Sequence, residues 1–289
     1  MTLALLGDIN LGRGVHPSAD SFAYLTSHLS AADLALANLE SPLGQDVAAD
    51  TTGYNLCAPA DRAAFLADWN LDLLSLANNH QNDCALSGGG NEVSAAVEGR
   101  LATQSILAAY GLTGLGPEPP KLEINGLTLA FFAFDDISIP LDAVAAAQAI
   151  RFAHEEGALV VVSVHWGVEY QAAPTDWQEA LARQFAEAGA DLVWGHHPHV
   201  LQRAEWIQPP AGSGPAGGST LVLYSLGNAL FDQGGLDDTR QSALVLVTMN
   251  SDGVTDVETI PFEIDVLHSL IVEPDAETAE EILERIKIK

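Results

Sequence analysis

Short apolar runs rich in Leu, Val and Phe recur along the chain at residues 3–6, 34–37, 73–76, 127–134, 159–164, 192–194, 221–226 and 243–249. Runs of this length without polar alternation are what strands buried on both faces look like. Between most of them lie segments with amphipathic helical spacing, at residues 18–30, 61–69, 91–110, 141–156 and 176–188. In the last of these Asp176 can cap the start, Trp177, Leu181 and Phe185 share one stripe, and Gly189 ends the helix. Strands alternating with helices predict a layered α/β fold. From residue 221 to 264 strands follow one another directly, with Ser251-Asp252-Gly253 as a hairpin turn, so the sheet is expected to be mixed or doubled. A final helix over residues 276–286 puts Ala279, Ile282, Leu283 and Ile286 on one face. The sequence contains no internal repeat.

With 289 residues, 48% hydrophobic and only 17% charged, the chain can bury a large core, which excludes intrinsic disorder as its overall state. No Pro/Gly/Ser-rich linker divides two self-contained patterns, so residues 1–289 are expected to form a single domain, with a loop at residues 208–219. No apolar run approaches the roughly 20 residues needed to cross a bilayer. The first ten residues carry no basic, signal-like stretch, and a soluble chain with no transmembrane segment is expected. Lys and Arg number 11 against 39 Asp and Glu, a formal charge of −28, which argues against duplex nucleic acid and anionic membranes as partners because counterion release needs a basic face. The lysines are Lys121, Lys287 and Lys289, so positive charge near any site must come from arginine. Cys57 and Cys84 can pair or remain free thiols, and they do not fix the compartment.

The residues that carry chemistry stand just after the apolar runs. Residues 3–6 lead to Gly7-Asp8-Ile9-Asn10, residues 34–37 to Asn38-Leu39-Glu40, and residues 73–76 to Ala77-Asn78-Asn79-His80. Residues 159–164 lead to His165-Trp166-Gly167, residues 192–194 to Gly195-His196-His197-Pro198-His199, and residues 221–226 to Gly227-Asn228. Six strand ends thus deliver Asp, Asn, Glu or His, and five of the nine histidines belong to the set. In α/β sheets the loops at the carboxyl ends of strands converge on one crevice. Singly, Asp8 reads equally as a helix cap, His165 as a hydrogen-bonded core histidine, and Asn78 and Asn79 as turn residues. The three imidazoles at 196, 197 and 199 are poor core material, because each needs a partner when buried. Carboxylate, imidazole and amide oxygen together suit Mn²⁺, Zn²⁺, Fe²⁺ or Mg²⁺. At least six candidates are too many for one tetrahedral ion, so two divalent ions, about 3.5–4 Å apart and sharing a carboxylate, are expected, with hydrolysis as the chemistry.

The ordered series GDINLGR, NLESPLG, LANNH, VHWGVEY, GHHPHVLQ and YSLGNALFD, within residues 3–232, resembles the bacterial capsule-synthesis CapA/PgsA family of poly-γ-glutamate biosynthesis proteins, which is related to the calcineurin-like metallophosphoesterases. The resemblance implies an α/β fold of the four-layer α/β/β/α sandwich type, with a dinuclear metal site at the carboxyl edge of the sheets and with the strands and helix of residues 242–287 beyond the motifs. It implies Asp8 as the first carboxylate ligand, Asn10 where the superfamily has a histidine, and Glu40, with Asn38 as the other choice, in place of the bridging aspartate. It implies Asn79 as the amide ligand, His80 as the histidine that protonates the leaving group, and His165 as the ligand at the next strand end. His197 and His199 match the paired histidines, and His196 can stand in for His197. Glu169 either holds a ligand or meets the substrate, or is a surface carboxylate. Arg13 is expected to point into the cleft and meet an anionic substrate, with binding that improves as salt rises. The segment Ser87-Gly88-Gly89-Gly90 is either a loop beside the site or an insertion.

The function expected on these grounds is divalent-metal-dependent hydrolysis of a phosphoester, or of an amide in an acidic polymer such as poly-γ-glutamate, linked to capsule metabolism. The competing expectation is a polymer-binding assembly protein that keeps a degenerate metal site. Family resemblance suggests an extracytoplasmic or cell-surface location.

Overall fold

The structure is a computed structural model describing residues 1–45, 47, 53–84, 92–210, 212–215 and 218–288. The Ser87-Gly88-Gly89-Gly90 segment lies outside the described residues. In chain order the elements are β1 (Thr2–Ile9), α1 (Thr26–Ala31), β2 (Leu34–Leu39), β3 (Leu43–Gly44), β4 (Ala58–Pro59), α2 (Ala63–Asp68), β5 (Leu73–Ser75), α3 (Glu92–Ala109), β6 (Thr113–Leu115), β7 (Lys121–Ile124) and β8 (Leu127–Asp135). They continue with α4 (Ala143–Glu155), β9 (Leu159–His165), α5 (Asp176–Ala188), β10 (Leu192–His196), β11 (Ala204–Ile207), β12 (Thr220–Leu223), β13 (Asn228–Leu230), β14 (Gln241–Asn250), β15 (Gly253–Asp265), β16 (Leu270–Val272) and α6 (Ala276–Arg285).

One sheet runs β16-β15-β14-β1-β2-β5-β6, with β13 also pairing to β1, and the other runs β11-β12-β10-β9-β8-β7. Each mixes parallel and antiparallel pairs, so the expectation of a mixed or doubled sheet is met in both senses. The continuous apolar runs have a direct physical reading. Leu3 and Leu5 of β1 and Val161 of β9 meet in the core between the sheets. Ala4 and Leu6 face outward to the layer of α1, α2 and α3, while Val160, Val162 and Val164 face outward to α4 and α5. With both faces of both sheets covered, alternation has no solvent side to record, and the result is a four-layer α/β/β/α sandwich.

Two contacts cross the central core and fix how the sheets sit on one another. The Trp194 indole N–H donates to the Leu6 carbonyl at 3.0 Å, and the hydroxyls of Ser163 and Ser75 lie 2.7 Å apart. Where the chain must come closest, it has glycine. A Cβ on Gly7 would run into the Gly227 carbonyl, which accepts the Asp8 amide at 2.9 Å, and both partners are backbone, so neither can yield cheaply. Gly7→Ala is therefore expected to lower unfolding free energy by on the order of 3 kcal/mol, measured as a shift of the urea midpoint at constant slope.

Helix α5 occupies the expected residues, but its cap is Thr175, whose hydroxyl accepts from the Gln178 amide, with Gln178 returning the bond to Thr175. Asp176 is the first helical residue instead, and Trp177 lies half-exposed with its indole on Asp136 at 2.6 Å. The pattern at residues 18–30 resolves into a 3-10 turn, Ala19–Phe22, followed by α1, where the Thr26 and Ser30 hydroxyls bond back to the Phe22 and Thr26 carbonyls. The run at 221–226 is split: β12 ends at Leu223, and Asn228 opens β13, which crosses to pair with β1 in the other sheet. Ser251 and Asp252 form the turn between β14 and β15, as the sequence pattern predicts. Among the described residues no helix is long and apolar enough to cross a membrane.

Candidate metal centre

Register places the polar strand ends in two facing rows. In the first sheet Asn228 of β13, Asp8 of β1, Asn38 of β2 and Ser75 of β5 stand side by side. In the second, Asp135 of β8, His165 of β9 and His196 of β10 do the same. Glu40 follows β2 directly, anchored by its amide on the Ile9 carbonyl at 2.9 Å. The turn after β5 carries Asn79 and His80, and the Asn78 side chain closes it by accepting from the His80 amide at 3.1 Å. His197 and His199 both hold positive φ, 95° and 57°, a costly backbone for non-glycine residues, and their ring nitrogens come within 4.8 Å of each other.

Asp8, Asn38, Glu40, His165, His196, His197 and His199 are buried, whereas Asn79 and His80 are half-buried. Asp8 receives the Asn38 amide at 2.8 Å and faces the Nδ1 atoms of His196 and His199, each at 3.3 Å. Burial pushes the Asp8 carboxyl up, but these two imidazoles overcome it and hold the group well below the usual carboxylate range. Glu40 Oε1 lies 3.6 Å from His199 Nε2 and 3.8 Å from the Nε2 atoms of His80 and His165. Burial pushes Glu40 up to about 7, with His199 pulling it down and Asp8 pushing it further up. His199, whose charge burial disfavours, is nevertheless raised to about 9 by Glu40 and Asp8. Its Nδ1 also meets Asn228 Oδ1 at 2.9 Å. His165 and His197 go the other way. Burial and the neighbouring His197 hold His165 well below its ordinary value, and burial and His199 bring His197 down to about 4. Neutral imidazoles of this kind are what metal ligation requires.

The other residues singled out from sequence surround this core. His80 places Nδ1 on Asp83 at 2.8 Å and turns Nε2 toward Glu40. Burial lowers its tendency to hold a proton, but the Asp83 hydrogen bond and the Glu40 charge leave it raised overall. Asn79 Oδ1 lies 2.7 Å from His165 Nε2. Glu169 is exposed at the mouth, yet one of its oxygens comes within 4.8 Å of ligand atoms of His197 and His199. Asn10 faces a different partner: its amide nitrogen donates to Asp232 at 3.2 Å and its oxygen accepts from the Gly12 amide. Arg13 joins the same group, with Nε on Asp232 Oδ2 at 3.0 Å, Nη2 on Asp232 Oδ1 and Nη1 on the Gly53 carbonyl at 3.2 Å. Its guanidinium lies 5.5 Å from the Phe231 ring, and that ring lies 4.9 Å from His199, so one aromatic ring separates Arg13 from the histidine cluster.

The residues present fit a cation. Five of the eight buried side-chain nitrogen and oxygen atoms without a hydrogen-bond partner, among the described residues, belong to this cluster: both oxygens of Glu40, both ring nitrogens of His196 and Nδ1 of His197. Buried polar atoms are otherwise almost always satisfied, so five unpaired ones on three neighbouring residues ask for a ligand with positive charge. Asp8, Glu40 and His199 bring ligand atoms within 4.8 Å of one another, and so do Glu169, His197 and His199. Sequence reasoning gave no role to Asp83, Asn228 or Asp232, which orient His80, His199 and the Asn10–Arg13 pair. Asn228 was visible as a strand-end residue, and Asp232 closes the last motif, but their partners are far away in the chain.

Comparison with known proteins places the chain in a family. Residues 2–233 match the profile of the family described as "Bacterial capsule synthesis protein PGA_cap". The chain is 31% identical over 288 residues to the PGA biosynthesis protein CapA of Bacillus subtilis, covering 91% of this chain and 72% of that one. It is 27% identical over 307 residues to the capsule biosynthesis protein CapA of Bacillus anthracis, covering 91% of this chain and 67% of that one. A hypothetical protein from Thermus thermophilus shares the fold, with a TM-score of 0.56 at 17% identity over 91% of this chain and 99% of that one. With four-fifths of its length matched by one profile and a CapA protein aligned over nearly all of it, the chain belongs to the bacterial capsule synthesis PGA_cap family.

Proposed function

We propose that this chain is a divalent-metal-dependent hydrolase acting on a phosphoester, or on an amide in an acidic polymer such as poly-γ-glutamate, in capsule metabolism. The observation that carries the reading is the cluster of unpaired buried atoms on Glu40, His196 and His197, facing Asp8, His165 and His199. In it Asp8, Glu40, Asn79, His165, His199 and one or both of His196 and His197 would hold two divalent ions, and three imidazoles approach Glu40 Oε1. Such ions supply Lewis acidity to the substrate and to the attacking water. The chain's own residues do the rest. His80, steadied at Nδ1 by Asp83, presents Nε2 to the pocket, where it can pass a proton to the leaving group. Arg13, whose charge is shared with Asp232, is the guanidinium near the cluster that an anionic substrate would meet in a chain at −28. Glu169 contributes at the mouth, beside His197 and His199. The Cys57–Cys84 disulfide supports an oxidising, extracytoplasmic setting.

The test is metal content together with turnover. Purified protein loaded with Mn²⁺ or Zn²⁺ is expected to retain close to two ions per chain after gel filtration. It is also expected to gain on the order of 2.7 kcal/mol of stability at a free metal concentration 100-fold above Kd. Generic phosphoesters and poly-γ-glutamate then serve as substrates. A metal-loaded protein that turns over neither, but binds the polymer, would assign this chain to assembly rather than hydrolysis. A protein that retains no metal would sink the whole reading.

A further inference from the structure

The turn that carries His80 is fastened from outside by a second stretch of chain. Asp83 Oδ2 accepts two bonds, from His80 Nδ1 at 2.8 Å and from the Leu56 amide at 2.6 Å. Asn55 donates its amide to the Asp83 carbonyl at 3.1 Å and accepts from the Cys57 amide at 2.8 Å. One residue beyond Leu56 on one side, and one beyond Asp83 on the other, stand Cys57 and Cys84, joined as a disulfide with their Cα atoms 4.9 Å apart. The sulfurs lie against Gly44 of β3, where a Cβ would stand 3.1 and 3.2 Å from them, so the link also abuts the segment that follows Glu40. A carboxylate oxygen shared by a backbone amide and an imidazole cannot swing freely, and the covalent bond next to it keeps its two supports together.

We propose that Asp83 is the positioning residue for His80, and that the Cys57–Cys84 disulfide holds it there by locking residues 55–57 to the turn. The inference rests on the reading of His80 as proton donor. Asp83 touches neither Glu40 nor the metal cluster in the described contacts, so it acts only through the ring it orients. With Nδ1–H committed to Asp83, Nε2 is the ring nitrogen left facing Glu40.

The experiment reads the ring itself. Full-length protein with ¹⁵N-labelled histidine is examined by long-range proton–nitrogen NMR, above the ring's titration, with the His80 signals assigned by their loss in His80→Gln. Wild type is expected to show the Nδ1–H form. Asp83→Ala and the Cys57→Ser/Cys84→Ser pair are expected to shift His80 toward the Nε2–H form that free histidine prefers, and amide exchange across residues 80–84 is expected to quicken by roughly tenfold in the cysteine pair. Metal content, measured on the same samples, is expected to stay at the wild-type level. Should the cysteine pair fail to fold, Asn55→Ala, which leaves the disulfide in place, carries the same expectation. An Nε2–H ring in wild type, or a tautomer unchanged in both the cysteine pair and Asn55→Ala, would overturn the proposal. Loss of metal from wild type would refute the hydrolase reading, and a tautomer shift in the variants would still stand.

Discussion

His80→Ala is expected to lower metal-dependent turnover by roughly 10²–10⁴ while leaving metal content at the wild-type level. The ring is half-buried, its Nε2 approaches Glu40 no closer than 3.8 Å, and its Nδ1 is taken by Asp83, so on the proposed reading its removal takes away the proton donor without taking away a ligand. Steady-state kinetics on the best substrate, with metal analysis of the same preparation, gives both quantities. A variant that loses its metal would make His80 a ligand, and one that keeps full turnover would remove the ring from the chemistry.

The second large effect changes sign with metal. Glu40 is buried with neither oxygen hydrogen-bonded, and its carboxyl is pushed up from the ordinary 4.5 to about 7. A carboxyl raised in the folded state contributes stability that is fully present below about 4.5 and is lost as pH rises through about 7. In metal-free protein, Glu40→Gln should therefore be close to neutral at pH 5 and stabilising at pH 8. The difference is on the order of 2–3 kcal/mol, trimmed because the Glu40 charge also helps keep His199 protonated. With saturating Mn²⁺ the order should invert, since the substitution removes the carboxylate nearest three imidazoles. Urea unfolding of both proteins at the two pH values, with and without metal, measures all four terms. A variant that is stabilised by metal as strongly as wild type would remove Glu40 from the centre.

Much of this architecture was legible because burial on two faces leaves a mark on local sequence. The runs at residues 3–6, 34–37 and 159–164 became β1, β2 and β9, each extended by the polar residues that the register then aligned. The strand-end rule also picked out Asp8, Glu40, His165, His196 and His199, whose side chains lie within 3.3 to 3.8 Å of one another in pairs. Orientation was what local sequence did not encode. Nothing near Asn10 or Arg13 points to Asp232, 222 and 219 positions away, and that carboxylate decides where both side chains turn. Leu221–Leu223 and Asn228 read as one strand and its end, although the chain changes sheets between them, because both pieces are apolar and only tertiary pairing separates them. Cap choice at α5 failed for a smaller reason: Thr175 and Asp176 are both good caps, and the reciprocal bond from Gln178 selects the first.

Strand β1, which carries Asp8, is bordered by β2 on one side and by β14 on the other, with Thr2 opposite Thr248. A ribosome has therefore released most of the chain before the first strand can acquire its second neighbour. Ligand residues follow the same schedule, since Asp8 and Glu40 are made early while His196, His197 and His199 come nearly 160 positions after Glu40. Pairing at such sequence separation makes for slow, late collapse. During synthesis the growing polypeptide therefore carries Asp8 and Glu40 long before it carries the imidazoles that meet them, and the contacts of Asp8 with His196 and His199 and of Glu40 with His199 form only once the second sheet has been made.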